Sequence, residues 1–227
     1  MKLLAVETAT EGCSAALAID GEIVTRFEIA PRRHAELILP MCESLLVQAE
    51  IKLSQLDAIA FGRGPGSFTG VRIAAGIAQG LAFGLDLPVV PVSTLAALAQ
   101  EIMTEVGKKN VLAALDARMG EIYWGCYRRD EQGSAQLIGA EHVSKAGDVA
   151  VADHTWYGAG SGWSAYGDTL TQRLASSLER YDGDRLPRAV YIAKLAKIAF
   201  TQGLAVAAEQ AQPVYLRNNV AKKSHEL

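Results

Sequence analysis

The sequence predicts an α/β protein with mixed sheets flanked by helices, and three observations support this fold class. Residues 2–30 and 111–144 each contain three strand-like segments, so one plan of strands occurs twice. After the first set, helical segments alternate with further short strands, as expected when helices cover the faces of a sheet. The first strand of each set ends in an acidic residue, Glu7 or Asp116. The pattern therefore predicts a duplicated fold.

The strands of each set are predicted from short apolar or alternating runs separated by turn residues. Asp20-Gly21 is a strong two-residue hairpin signal between the second and third strands. The corresponding strands of the second set are rich in aromatic residues and are separated by turns near residues 117–120 and 130–133. The predicted strands cover 3–7, 14–19, 22–29, 111–115, 121–128 and 135–143, with shorter ones near 57–61 and 88–92.

The helices are predicted from apolar residues that recur with a helical period. Pro40 fits the helix at 35–50 if that helix starts late or kinks there. Ser93 is a candidate N-cap for the helix at 94–106. Pro187 suits a first helical turn and Gly203 a helix stop. The predicted helices cover 35–50, 71–86, 94–106, 165–178 and 187–202.

These elements predict two domains, residues 1–106 and 107–227, joined by a short hinge near 107–110. The second domain is expected to be a reduced version of the first. Its last helix is a candidate to pack back on the first domain.

A dense glycine segment, residues 62–70, joins a strand to the helix that follows it. Four glycines and a proline in nine residues mark backbone that turns sharply or approaches a neighbour closely. The segment lacks the lysine of a P-loop. Ser67 could be an exposed nucleophile at this turn, although a helix N-cap serine is far commoner.

Beyond that segment, Gly76, Gly80 and Gly84 recur at a spacing of four, which places them on one helical face. Each glycine costs a helix roughly 0.5–1 kcal/mol relative to alanine, so a use for the bare surface is expected. Two interpretations remain open. The face packs tightly against the protein's own sheet, or it accepts a helix of a partner.

Bulk composition limits the function classes. The net charge of −3 gives no general attraction for polyanions. Direct binding of tRNA would need basic clusters, and those in the sequence are short: Arg32-Arg33, Arg128-Arg129, Arg217 and Lys222-Lys223. Cys13, Cys42 and Cys126 lie far apart without a CxxC pair, so zinc-ribbon spacing is absent, and the odd number of cysteines favours a reducing cytosol. Glu7 interrupts the first apolar run before a signal sequence could form, and Arg72 and Gln79 break the longest apolar segment. We therefore expect a cytoplasmic protein without a membrane span.

Two copies of a three-strand unit with helices resemble the ribonuclease-H-like duplication of the actin, sugar-kinase and Hsp70 superfamily. In that superfamily, acids that end the first strands flank a nucleotide cleft. The first turn here is rich in hydroxyl groups but lacks the aspartate and glycine of working phosphate turns. We therefore expect a vestigial cleft, whose residues are Glu7, Thr8, Thr10, Asp116, Arg118, Gly158 and Gly160.

Five motifs resemble the bacterial TsaB (YeaZ) family over essentially the whole chain. They are ETATEGCS at 7–14, GPGSFTGVRI at 64–73, LDARMGEIY at 115–123, GAGS at 158–161 and PVYLR at 213–217. The resemblance implies a role in forming threonylcarbamoyl-adenosine beside the anticodon of tRNAs that read codons beginning with adenine. It implies a non-catalytic subunit that pairs with the catalytic paralogue TsaD, an ATPase TsaE that joins the pair, and contact with tRNA through the complex alone.

The same resemblance implies no metal, cofactor or catalytic residue in this chain. TsaD proteins carry a metal-binding histidine pair on the helix that corresponds to 35–50, whereas His34 stands alone here. The helices at 35–50 and 70–85 are implied to pair with TsaD, or with a second copy of this chain when it is alone. The implied interface residues are His34, Leu37, Ile38, Met41, Leu45, Ile73, Gly76, Ile77, Gly80, Leu81 and Gly84.

An autonomous hydrolase is the alternative from another functional class. A glycoprotease-like peptidase or a nucleotide hydrolase would use Ser67 or the cleft between Glu7 and Asp116. The missing histidine pair and the missing glycine-rich phosphate turn argue against it.

Overall fold

The computed structural model describes residues 1–217, which form two five-stranded mixed sheets with helices on their faces. The first sheet contains β1 (Lys2–Glu7), β2 (Gly12–Ile19), β3 (Glu22–Ile29), β4 (Ala58–Gly62) and β5 (Val89–Val92). Its order is β3-β2-β1-β4-β5. Strand β2 runs antiparallel to both of its neighbours, while β1, β4 and β5 are parallel.

The second sheet repeats this arrangement. It contains β6 (Asn110–Arg118), β7 (Glu121–Arg129), β8 (Ala135–Lys145), β9 (Trp156–Ala159) and β10 (Leu178–Asp182). Its order is β10-β9-β6-β7-β8, which is the order of the first sheet when each strand is replaced by its counterpart. Strand β7 is antiparallel to β6 and β8, and β6, β9 and β10 are parallel. The predicted duplicated ribonuclease-H-like fold is therefore confirmed.

Five α-helices connect and cover the strands: α1 (His34–Gln48), α2 (Phe68–Leu85), α3 (Thr94–Glu105), α4 (Ser161–Leu174) and α5 (Ala189–Thr201). Two of them begin at serine N-caps, as the residue types favour. The Ser67 hydroxyl accepts a hydrogen bond from the Gly70 amide at 3.1 Å, and Ser93 accepts one from Ala96 at 3.2 Å. The Ser93 cap is as predicted, and Ser67 has the cap role that was the commoner interpretation.

The side chains of β1 alternate between two apolar cores, because successive residues of a strand face opposite sides of the sheet. Leu4 and Val6 join the core beneath α1 and α2. Leu3 and Ala5 join a larger core that includes α3, α5 and residues of the second sheet. Helix α5 packs on the first sheet and α3 on the second, so these two helices lie between the sheets. The division at residues 106 and 107 stays a prediction.

Four elements differ from the sequence-based expectations. Helix α4 spans Ser161–Leu174, four residues earlier at each end than the predicted helix at 165–178. No strand was predicted after that helix, but the segment LERYD forms the edge strand β10, whose mostly exposed side chains show no apolar alternation. Helix α5 begins at Ala189, two residues after Pro187. Helix α1 passes through Pro40 instead of starting after it. The Asp20-Gly21 hairpin is confirmed, with φ of 49° and 104° at the two turn residues.

Candidate functional site

The turn after β1 and the end of β6 open onto one cavity between the two halves, with a volume of about 710 Å³. Thr10, Asp116 and Arg118 line it, together with Ser67 and Ser161 at the starts of α2 and α4. The structure thus brings three of the predicted cleft residues together. The other four lie elsewhere, and their contacts explain why.

Glu7 is fully buried and does not line the cavity. Its carboxylate accepts a hydrogen bond from the Ala9 amide at 2.6 Å and another from the Thr94 hydroxyl at 2.9 Å. A Cβ atom added to Gly62 would overlap this carboxylate, so β4 passes directly against it. Glu7 therefore joins β1, β4 and the start of α3, and its role here is structural.

The glycine segment packs against the first turn and occupies the Thr8 hydroxyl, a donor that could otherwise hold a phosphate. The Ser67 amide donates to the Ala9 carbonyl at 2.7 Å, and the Thr8 hydroxyl donates to the Gly70 carbonyl at 2.7 Å. A Cβ on Gly66 would lie 2.5 Å from the Ala9 carbonyl oxygen. The predicted close approach is thus an approach to the protein's own turn, and it requires glycine there.

Gly158 and Gly160 face the protein interior and not the cavity. The Trp163 indole occupies the space beside Gly158, and its Nε1 donates to the Leu112 carbonyl at 3.1 Å. A Cβ on Gly160 would lie 2.5 Å from the Ala114 carbonyl oxygen. The expectation that these glycines line a cleft is therefore wrong, because the core packs tightly beneath them.

Two charged residues at the cavity rim, Asp116 and Arg217, are engaged in hydrogen bonds of the turn after β6. The Asp116 carboxylate accepts a hydrogen bond from the Arg118 amide at 2.8 Å. Arg217 donates to the Ala117 carbonyl at 3.0 Å and also bonds the Arg118 carbonyl and Glu121. Within residues 1–217 no group of three or more histidine, cysteine or acidic residues could hold a metal ion. The hydrogen bonds of Asp116 and Arg217 fix the turn after β6.

Burial of Glu7 gives a prediction for pH dependence. Burial raises the pKa of Glu7 to about 7, opposed by the hydrogen bonds from Ala9 and Thr94. The folded state therefore binds more protons than the unfolded state between about pH 4.5 and 7, so stability falls as pH rises through this window. Glu7→Gln mimics the protonated form. Urea unfolding should show that the free energy of unfolding falls by roughly 3 kcal/mol more for wild type than for the variant between pH 5 and 8.

The control variant is Asp153→Asn, which removes an exposed carboxyl outside the core. Its free energy of unfolding should depend on pH as that of wild type does. Parallel profiles for wild type and Glu7→Gln would contradict the raised pKa.

Helices α1 and α2 lie side by side and leave an exposed face, which we call the α1–α2 face. A Cβ added at Gly76, Gly80 or Gly84 would meet nothing within 4 Å. The interpretation of the glycines as internal packing is therefore wrong. Leu37 and Met41 of α1 and Ile73, Ile77 and Leu81 of α2 are half-buried and pack against the core beneath these helices.

Three residues predicted for this face are buried in the protein's own core instead. Ile38 and Leu45 are 0% exposed because they point from α1 toward the first sheet. His34 is 7% exposed, and its Nε2 has no hydrogen-bond partner within residues 1–217. These residues support the helix that carries the face, and the expectation that they lie on its surface is wrong.

The sequence reasoning missed exposed apolar side chains on α1 and α2. Phe83 is 82% exposed, Val47 72% and Leu39 46%. By length and composition alone, helix α2 could cross a membrane, but core helices of globular proteins can have the same length and composition. In this chain, 33% of the helix is buried. In the sequence, these exposed residues are indicated by more apolar residues than one buried stripe of a helix needs. The sequence does not show which side of the helix faces outward.

The basic clusters are mostly engaged locally. Arg33 pairs with Glu28 at 3.1 Å, Arg129 donates to the Met103 carbonyl at 3.4 Å, and Arg128 contacts His154. Arg32 is exposed at the cavity rim. The Lys222-Lys223 cluster lies outside the residues that the structure describes.

Fold and site together define a duplicated ribonuclease-H-like protein whose phosphate turn is filled by its own backbone and which exposes an apolar helical face. The family model for TsaD, tRNA N6-adenosine threonylcarbamoyltransferase, matches residues 26–225. The tRNA threonylcarbamoyladenosine biosynthesis protein TsaB of Escherichia coli is 46% identical, with 98% of this chain and 97% of that protein covered. The Haemophilus influenzae protein of the same name is 40% identical, with 98% and 96% covered.

A solved structure, YeaZ from Pseudomonas aeruginosa, is 49% identical, covers 95% of this chain and 99% of that chain, and has a TM-score of 0.89. This chain belongs to the TsaB (YeaZ) family of tRNA threonylcarbamoyladenosine biosynthesis proteins. The family resemblance drawn from the five motifs is thus confirmed.

Proposed function

We propose that this chain is a non-catalytic scaffold subunit that pairs with TsaD and activates threonylcarbamoyl transfer to tRNA. The modified base is the adenosine beside the anticodon in tRNAs that read codons beginning with adenine. TsaE joins the pair, and tRNA is contacted through the complex. Alone, the chain forms a homodimer through the same surface, and it acts in the cytoplasm.

The observation that carries this proposal is the open space over Gly76, Gly80 and Gly84. Three exposed glycines destabilise an isolated helix, yet nothing in the described chain uses the close approach that they permit. Helices associate closely over small-residue stripes, and exposed apolar side chains such as Phe83 and Val47 would flank the contact. A partner helix accounts for both features.

The paired-subunit proposal is tested by reconstitution. Purified TsaD is assayed for threonylcarbamoyl transfer with and without this chain, and TsaE is added in a parallel series. Size-exclusion chromatography should show a complex of this chain with TsaD, and activity should depend on its presence. Full TsaD activity in its absence would sink the proposal.

The autonomous hydrolase finds little support in the geometry. The Ser67 hydroxyl is used as a helix cap, and the Glu7 carboxylate is enclosed by β4 and α3. Calorimetry with Mg-ATP and with zinc tests this alternative directly. Tight, stoichiometric binding of either by the isolated chain would revive it, and steeply salt-dependent tRNA binding by the isolated chain would contradict the indirect contact with tRNA.

A further inference from the structure

Arg72 is the single charged residue of α2, and aromatic rings hold its guanidinium in place. The guanidinium carbon lies 3.4 Å from the centroid of the Phe68 ring and 5.5 Å from that of Tyr215. The two rings are themselves 6.0 Å apart, centroid to centroid. Stacking of this kind restricts a long, flexible side chain, so less rotamer freedom is lost when the group binds something.

The charge of Arg72 is not neutralised within residues 1–217, where none of the ion pairs involves it. The side chain is exposed. The first turn of α2 also carries no acidic residue, although the positive end of the helix dipole favours one there. The surroundings thus leave a fixed cation without an anion.

Arg72 lies four residues before Gly76 and so continues the glycine spacing toward the start of the helix. Phe68 and Ile73 beside it are apolar, and Phe68 is 56% exposed. Three other cations, Arg32, Arg118 and Arg217, line the neighbouring cavity, whereas the apolar strip of α2 carries Arg72 alone. Because an RNA surface needs several cations that follow the phosphates, one cation at the end of this strip fits a single carboxylate. The charge pattern therefore favours a protein helix as the occupant.

We propose that Arg72 sets the position of the partner on the α1–α2 face by binding an aspartate or glutamate of the partner's helix. The inference rests on the proposed pairing with TsaD. A guanidinium forms two parallel hydrogen bonds with a carboxylate, which fixes direction as well as distance. The partner helix would lie over the glycines, with its carboxylate at the Arg72 end. The pair would thus select one register among those that a bare glycine strip allows.

The test is titration calorimetry of TsaD with wild type and with Arg72→Glu, Arg72→Lys and Arg180→Glu. Arg180 is exposed on β10 and provides the control with the same change in net charge. At about 50 mM salt, Arg72→Glu should weaken binding at least roughly tenfold, with a smaller loss at about 500 mM. Arg72→Lys should be intermediate, because it keeps the charge and loses the fork and the stacking. Arg180→Glu should stay within about twofold of wild type.

Charge reversal of the matching carboxylate in TsaD should restore binding to Arg72→Glu, which a merely structural role for Arg72 would not predict. Equal affinities for wild type and Arg72→Glu would overturn the inference while leaving the pairing intact. Unchanged pairing with impaired tRNA binding by the complex would overturn it in favour of a phosphate. Failure of wild type itself to bind TsaD would instead reject the proposed function.

Discussion

Gly80→Leu should abolish pairing with TsaD while the monomer stays folded. A Cβ atom at this position meets nothing within 4 Å in the isolated chain, so the new side chain starts into open space. A helix packed over the glycine strip would be pushed outward by several ångströms and would lose its contacts along the whole strip. We expect binding to weaken at least about a hundredfold, equivalent to roughly 3 kcal/mol.

The measurement is titration calorimetry with TsaD, together with thermal unfolding of the variant alone. Leucine is the better helix former, so the melting temperature should be unchanged or higher. Gln172→Leu, at an exposed position of α4, is the matched control and should bind TsaD like wild type. Normal pairing by Gly80→Leu would show that the glycines are not part of the surface that binds the partner.

The second large effect is on stability, and it compares two glycines of the same helix. Gly70→Ala places a Cβ in overlap with the Thr8 carbonyl, and that turn is held by a hydrogen bond from the Thr8 hydroxyl to the Gly70 carbonyl at 2.7 Å. The Thr8 carbonyl is backbone, and the Ser67 hydroxyl that caps α2 also lies 2.6 Å from the added Cβ, so either the turn or the start of α2 must move. We expect a loss of about 3 kcal/mol in the free energy of unfolding, the upper end of the cost of overpacking.

Gly76→Ala is the control, because its Cβ enters open space in the same helix. Alanine should raise the free energy of unfolding there by up to about 1 kcal/mol. Urea unfolding of both variants therefore should give changes of opposite sign. Equal midpoints for the two variants would show that the glycine segment does not pack against the first turn.

Most elements of the fold could be predicted from local patterns. Helical and strand periodicity places α1 to α3 and β6 to β8 within a few residues, and Asp20-Gly21 marks its hairpin because few residues adopt positive φ easily. Strand β10 was not predicted, because an edge strand with mostly exposed side chains shows no apolar alternation. Pairing with β9 defines it, and that contact is not local.

The candidate site was predicted less well, for a physical reason. The cleft residues were chosen by their place at strand ends, but the direction of each side chain depends on what packs beside it. Trp163 covers Gly158, and β4 and Thr94 enclose Glu7. These neighbours come from distant parts of the chain, so no local pattern reports them.

The sequence by itself determined the duplicated fold class, the glycine spacing of α2 and the family, because periodicity and motif order are properties of the linear chain. The tertiary structure decided how these features are used. It filled the phosphate turn with the glycine segment, buried Ile38 and Leu45 and left Gly80 facing open space. A helix with apolar residues on more than one side can bury any one of these sides. The sheet against which the helix packs determines which side is buried and which side stays exposed.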